Sequence, residues 1–469
     1  LPAGWLSGEI AVVGLARSGR AVATLLVRTG ADVYASDSGK EKTLDTTAAA
    51  LRAEGVEVQL GTHDLERIGR ASLVVASPGV PPSAPPLAAA RARGIEVVSE
   101  VEIALRLLPN LRYIAITGTN GKTTTTALTA HLLSAIGHRA IAAGNIGLPL
   151  AEIALRPATP DWVALEISSF QLHDTPSINP RVGILTNLSA NHLDRYTSIE
   201  DYYGDKALLF RNATAASHWV TNGDDLVVEA LAEAAAGIHC RFSVRGRSDA
   251  WVDTSRAMLE VLGEPLLARG DLHLIGDHNV ANALAAALAV VLASESHRTP
   301  EALGLVARGL RTFQGLEHRI EAVGEVNGVL WINDSKSTNV ASTEVALRGM
   351  TRPTVLLLGG KHKGEPYSSL AEEIRRTVKV VLAYGDAAPL IQADLGNIVP
   401  VERLGSSFND VVSAARRAAA PGDVVLLSPA CSSYDMFENY EQRGREFKRL
   451  VGKGSGNRPA MSAKREAKQ

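Results

Sequence analysis

The stretch Ile116-Thr-Gly-Thr-Asn-Gly-Lys-Thr-Thr124 constrains this chain more than any other. It closes on Gly-Lys-Thr, the end of a phosphate-binding loop. The full consensus puts its first glycine five residues before Gly121, where Ile116 stands, so Gly118 opens a shorter turn. The preceding "LRYIAIT" is apolar enough for a buried strand, and "TTTALTAHLLSAIG" reads as a helix ending at Gly137. In that strand–turn–helix setting, backbone N–H groups and the helix N-terminus hold phosphates. Lys122 takes the outer phosphates and the Thr123 hydroxyl takes magnesium.

A different glycine turn comes first. "IAVVGLARSGRAVATLLVRTGADVYASD" predicts strand, Gly14-x-x-x-x-Gly19, helix, and a second strand ending at Asp37. This is Rossmann-like, but the dinucleotide fingerprint wants a glycine where Ala16 or Arg17 stands. A nucleotide or sugar-nucleotide site fits better than NAD. Ser77-Pro78-Gly79 follows another short strand, at the end where open α/β sheets bind ligands. "PPSAPP" reads as a surface loop.

A boundary is expected near "RLLPNL" at 106–111. Beyond it, "DWVALEISS" and "RVGILTNLS" are apolar strands, residues 225–236 and 279–294 are helical, and "RFSVRG" and "LHLIG" suit a flanking strand pair. "TVLLLGG", "VKVVLAYG" and "DVVLLSPA" are almost wholly apolar, as strands buried on both faces are. The expected fold class is α/β in three domains: N-terminal Rossmann-like at 1–107, central P-loop ATPase-like at 108–313, and C-terminal Rossmann-like at 314–452. A disordered tail is expected at 453–469.

With 469 residues, 46% apolar and a net charge of −2, nothing calls for a nucleic-acid partner. The two cysteines, Cys240 and Cys431, indicate no disulfide scaffold and no structural zinc site. No apolar run reaches membrane-spanning length and no leader pattern opens the chain, so a cytoplasmic monomer is the expectation.

Several polar residues sit where such sheets do chemistry. Glu166 ends "WVALE", well placed for magnesium beside a P-loop. "NHLDRY" offers His192 and Asp194, the histidine as a metal ligand. Lys206 reads as one exposed lysine on a helix. In the third domain Arg319 suits phosphate. Asp334, Lys336 and Thr338 suit a nucleotide and a small anion, and "GGKHKG" and "SPACSSYDMFENYEQRGREF" add Lys363, Ser433 and Tyr440. No G-x-S-x-G elbow exists, and Cys431 has no local base, so neither hydrolase class fits.

Together "GTNGKT", "LEISSFQL", "NHLDRY", "GDHNVANALAA", "GLEHR", "NDSKSTN" and "SPACSSYDMFENYEQRGREF" resemble the Mur ligase family over residues 8–450. The segments "SSFQL", "DSKSTN" and "SPACSS" resemble the branch that adds D-glutamate to UDP-N-acetylmuramoyl-L-alanine in peptidoglycan precursor synthesis. A neighbouring branch adding a different amino acid is the alternative. The resemblance implies amide synthesis through an acyl phosphate, with ATP and Mg2+ as cofactors. It implies ATP contacts at Gly118, Thr119, Asn120, Gly121, Lys122, Thr123, Thr124, Asn279, Asn282, Arg319 and Asp334. Magnesium ligands are implied at Thr123, Glu166 and His192, and at Lys206 carrying carbon dioxide as a carbamate; Lys122, Glu166, His192 and Lys206 are the catalytic set. The sugar nucleotide is implied at Leu15, Ala16, Arg17, Asp37, Ser38, Ser77, Pro78, Gly79 and Asn145. D-glutamate is implied at Lys336, Thr338, Lys363, Ser433 and Tyr440. Lys361 and His362 make "GGKHKG" more basic than in many relatives, and Tyr440 stands where phenylalanine is common.

Overall fold

The structure is a computed structural model that describes residues 1–189 and 196–453. His192 and Asp194, and all but the first residue of the expected tail, lie outside the described residues. Three sheets organise the described residues. By contacts the chain divides into two compact units: Leu1–Leu272 with Asn279–Phe313, and His273–His278 with residues 314 onward.

The first unit holds two sheets. Strands β1 (Ile10–Val13), β2 (Val33–Asp37), β3 (Glu57–Leu60), β4 (Leu73–Ala76) and β5 (Val97–Ser99) pair in parallel, in the spatial order β3-β2-β1-β4-β5. The order reverses between β1 and β4, which opens a crevice beyond their C-terminal ends. All four residues of β1 and of β4 are buried, because helices cover both faces of a parallel sheet. The last two prolines of "PPSAPP" are not loop: they start the helix Pro85–Ala92, where a proline loses no hydrogen bond.

The second sheet contains β6 (Tyr113–Thr117), β7 (Ala140–Gly144), β8 (Trp162–Glu166), β9 (Val182–Leu185), β10 (His218–Asn222), β11 (Ile238–Ser243), β12 (Ala250–Asp253), β13 (Met258–Val261) and β14 (Glu264–Ala268), in the order β14-β13-β12-β11-β10-β9-β6-β8-β7. The phosphate-loop strand β6 is central, between β8 and β9. The helix Asp277–Leu292 is buried on nearly every side, as its alanine-rich, all-round apolar sequence requires. The expected strand at "LHLIG" is absent: Leu272–Gly276 belongs to no strand. The antiparallel edge is built by β12, β13 and β14 instead. Leu262 and Gly263 both have positive φ, 53° and 85°, the geometry of a two-residue hairpin turn.

The second unit has one six-stranded sheet. Strands β15 (Glu321–Val326), β16 (Val329–Asn333), β17 (Thr354–Gly359), β18 (Val378–Tyr384), β19 (Val401–Arg403) and β20 (Val424–Leu427) take the order β15-β16-β20-β17-β18-β19, parallel except for β15. Both β17 and β20 are wholly buried.

Candidate active site

In the first unit the ends of β1, β2 and β4 frame an open cleft of about 1320 Å3, open solvent included. Gly14, Ala16, Arg17, Asp37, Ser38, Ser77, Pro78, Gly79 and Asn145 are among the residues that line it. Leu15 borders the adjoining hollow with Ala16 and Arg17. The turn is rigid. A Cβ on Gly19 would stand 1.8 Å from the Gly14 carbonyl oxygen, so the helix packs directly on the strand. Ser77 Oγ donates to that same carbonyl at 2.9 Å. Asp37 accepts from the Leu15 and Gly39 amides at 2.6 and 2.8 Å, which fixes both the turn and the carboxylate. Arg17 donates twice to Glu152 and once to the Gly147 carbonyl, bringing the two sheets' loops together.

The phosphate loop runs from β6 into the helix Lys122–Ala135. Gly118 and Gly121 have φ of 139° and 81°. Added Cβ atoms would meet Thr186 Oγ1 at 2.1 Å and Asn282 Oδ1 at 2.3 Å, so glycine is required by conformation and by space. The loop is braced from β9's end: Thr119 N donates to the Asn187 carbonyl, Asn120 N to Asn187 Oδ1, and Thr186 Oγ1 to the Asn120 carbonyl. Lys122 Nζ donates to the Gly118 and Thr119 carbonyls at 2.9 and 2.7 Å. Thr123 is half-buried and Thr124 buried. Buried Asn282 accepts from Thr125 Oγ1 and donates to Asn279 Oδ1, tying the helix Asp277–Leu292 to the helix that follows the loop.

Beside the loop lie two buried ionisable groups. Glu166 ends β8 and is 1% exposed. Its Oε1 accepts from Asn145 Nδ2 at 2.9 Å; its Oε2 is buried with no hydrogen-bond partner among the described residues. Lys206 is not the exposed lysine its residue type suggests: it is 1% exposed, and its Nζ donates to Thr117 Oγ1 at 2.9 Å. Tyr202 and Lys206, four apart on the helix Ile199–Ala207, share its buried face. Burial, reinforced by the charge of Lys122, pushes the Lys206 amine well below its ordinary value, against the pull of Glu166 and Asp205. Among the described residues no three histidine, cysteine or acidic side chains cluster as a metal site. The buried, orphaned carboxylate oxygen of Glu166 has the donor chemistry that suits a hard cation such as magnesium.

In the second unit, Lys336 Nζ donates to Tyr440 OH at 2.8 Å and sits 4.5 Å from that ring's centre. Lys363 Nζ lies 3.4 Å from Thr338 Oγ1, whereas Lys361 pairs through its backbone with Ser432. Ser433 is buried. Asp334 is buried and accepts from Ser337, Ser428 and the Ile320 amide; burial pushes it up to about 6, against these bonds and nearby Arg319. His318 and Ile320, flanking Arg319, have φ of 66° and 44°, a conformation that a β-branched residue holds only under constraint.

Three family models match in succession: the Mur ligase MurD-like N-terminal domain over residues 8–99, the Mur ligase middle domain over 116–290, and the Mur ligase glutamate ligase domain over 318–431. The chain belongs to the Mur ligase family. This Mur ligase is 41% identical over 455 residues to the UDP-N-acetylmuramoylalanine–D-glutamate ligase of Myxococcus xanthus, covering 95% of this chain and 98% of that one. It is 42% identical over 460 residues to the same-named ligase of Anaeromyxobacter dehalogenans, covering 94% and 97%. Among solved structures it shares its fold with UDP-N-acetylmuramate-alanine ligase from Thermotoga maritima (TM-score 0.57, 21% identity, covering 95% and 99%). A pseudomurein peptide ligase type C from Methanothermus fervidus is similar too (TM-score 0.58, 19% identity, covering 95% and 100%).

The residues expected to serve one reaction therefore fall into three groups. Leu15, Ala16, Arg17, Asp37, Ser38, Ser77, Pro78, Gly79 and Asn145 gather at the N-terminal cleft and the hollow beside it. Lys122, Glu166 and Lys206 gather at the phosphate loop, and Asn145 connects these two groups. Lys336 with Tyr440, and Lys363 with Thr338, pair within the second unit. Thr117, Thr186 and Asn187, which hold Lys206 and the loop, carry no distinctive mark in the sequence. Neither does Arg443, a fully buried arginine that donates to the Ser335 hydroxyl and carbonyl and to the Cys431 carbonyl. Their signal, a polar residue just past an apolar strand or inside a helix, is shared by many residues without such roles.

Proposed function

We propose that this Mur ligase joins D-glutamate to the carboxyl group of UDP-N-acetylmuramoyl-L-alanine, driven by ATP, with release of ADP and phosphate. The observation that carries the geometry is Asn145: its side chain lines the N-terminal cleft and donates to Glu166 beside the phosphate loop. A substrate lying in the cleft thus ends where a triphosphate begins. The substrate carboxylate attacks the γ-phosphorus, ADP leaves, and an acyl phosphate forms. The free amine of D-glutamate attacks that carbonyl, its nitrogen gives up a proton to solvent, and phosphate departs from the tetrahedral intermediate. Both reactants of the first step are anionic, so fixed positive charge is the main catalytic requirement.

The loop amides of residues 118–124 hold the phosphates, and Lys122 turns from the loop carbonyls to the transferring group. Asn279 and Asn282 support the adenine side, Asp334 the ribose and Arg319 the phosphates. Magnesium, when bound, offsets phosphate charge; Thr123, Glu166, His192 and carbamylated Lys206 are the residues that would hold it. Carbamylation suits Lys206 because burial favours its neutral, nucleophilic amine. The nitrogen attacks carbon dioxide, a proton leaves, and a carboxylate replaces a suppressed cation next to Lys122. Lys336, Thr338, Lys363, Ser433 and Tyr440 bind the two carboxylates of D-glutamate; among the basic pair of "GGKHKG", the contact to Thr338 favours Lys363.

The domain limits 1–107, 108–313 and 314–452, a monomeric state and a cytoplasmic location belong to the same proposal. No helix among the described residues is long and apolar enough to cross a membrane. The test is phosphate release by the full chain. It should require the sugar nucleotide and D-glutamate together; equal release from ATP alone refutes a ligase.

A further inference from the structure

His63 follows β3 by three residues and belongs to none of the three groups of site residues. Its loop is pinned at both ends. Gly61, with φ of 82°, donates its amide to the Asp37 carbonyl at 2.8 Å, tying the start of the loop to the end of β2. Asp64 caps the next helical turn, and its own amide donates to Tyr34 OH. The imidazole is fixed as well: Nδ1 pairs with the buried Ser36 hydroxyl at 2.9 Å. Nε2 has no partner among the described residues, and the ring lines the large cleft beside Asp37 and Ser38. Burial holds the ring below its usual value despite Asp37, so a neutral imidazole faces the cleft at pH 7.

The sheet order decides what this nitrogen meets. In an open parallel sheet, a diphosphate sits over the glycine turn after β1, and its nucleoside runs outward past β2. His63 lies at the end of β3, one strand farther out. We propose that His63 is a binding residue for the nucleoside of the cleft's substrate, through a hydrogen bond from Nε2 to the base or ribose. This rests on the reading that the cleft takes a uridine-diphosphate sugar.

The experiment is titration calorimetry of UDP, UMP and uridine into the full-length chain and its His63→Ala and His63→Gln variants, with the KM for ATP measured alongside. One lost hydrogen bond predicts about threefold to tenfold weaker binding in the alanine variant, by the same factor for all three ligands. The glutamine variant should recover part of the loss, and the KM for ATP should not move. Binding of UDP by His63→Ala within twofold of the parent overturns the inference and leaves the ligase reading standing. A loss confined to UDP and UMP, sparing uridine, overturns the nucleoside assignment. A parallel rise in the KM for ATP reduces His63 to a structural support. Failure of the parent chain to bind UDP overturns the cleft reading and this inference together.

Discussion

Glu166 should trade stability for activity, and Glu166→Gln separates the two. The substitution keeps shape and keeps the carbonyl-type oxygen that accepts from Asn145. It exchanges a buried, unpartnered charged oxygen for a buried, unpartnered neutral amide nitrogen. An orphaned neutral group costs about 1–3 kcal/mol, and an uncompensated buried charge several. The Lys206 amine coupled to it gives little relief, because burial drives Lys206 toward its neutral form. Weakening the Asn145 bond from ionic to neutral returns about 1 kcal/mol of the difference. The net expectation is a variant more stable by about 1–2 kcal/mol, raising the melting temperature by a few degrees at most. Ligation should fall by about 10²–10³, the cost of removing one fixed group at a charged transition state. Calorimetry without ligands, paired with phosphate-release kinetics, reads both. A variant destabilised by more than 1 kcal/mol that retains over a tenth of its activity contradicts both roles of Glu166.

Lys206→Ala should abolish ligation, with partial recovery in added acetate or formate; normal turnover in carbon-dioxide-depleted buffer contradicts the carbamate. In carbon-dioxide-free buffer, where it stays a free amine, Lys206 also sets a pH slope. Its folded value lies well below 10.5, so between the two values the unfolded chain binds the extra proton and stability rises with pH. Denaturant midpoints from pH 7 to 9 should rise for the parent chain relative to Lys206→Met. Asp334 works in the opposite sense: its folded value of about 6 exceeds the ordinary 3.8, so its contribution is lost as pH rises through that window. Asp334→Asn should flatten the pH 4–6 stability profile, by a difference on the order of 3 kcal/mol. Lys336→Ala should raise the KM for D-glutamate at least tenfold and leave that for ATP unchanged, whereas Tyr440→Phe, which keeps the ring under Lys336, should raise it less.

The elements most legible in the sequence were those specified by short-range chemistry. Apolar runs such as Val424–Leu427 can only be central strands, and Gly118 and Gly121 announce a turn that admits no side chain. Glu166 was readable because strand ends face the ligand side of such sheets. Lys206 was misread from its residue type, although Tyr202 four residues before it marks the same inward face. "LHLIG" was misread because an apolar alternation specifies burial and not a pairing partner; the Leu262-Gly263 turn a few residues earlier had already closed the edge. The partnerships of Asn145 with Glu166 and of His63 with Ser36 join residues 21 and 27 apart through tertiary structure, which no local pattern encodes.

The proposed reaction turns on an acyl phosphate intercepted by D-glutamate. The most direct test uses UDP-N-acetylmuramoyl-L-alanine labelled with 18O in its free carboxylate, incubated with ATP, magnesium and the full chain. With D-glutamate, each phosphate released should carry one 18O atom from the substrate, and label should appear in phosphate as fast as amide forms. L-glutamate, L-lysine and meso-diaminopimelate should yield neither product at a useful rate. Unlabelled phosphate alongside amide formation contradicts the acyl-phosphate route, and comparable turnover of L-glutamate or diaminopimelate contradicts the D-glutamate assignment.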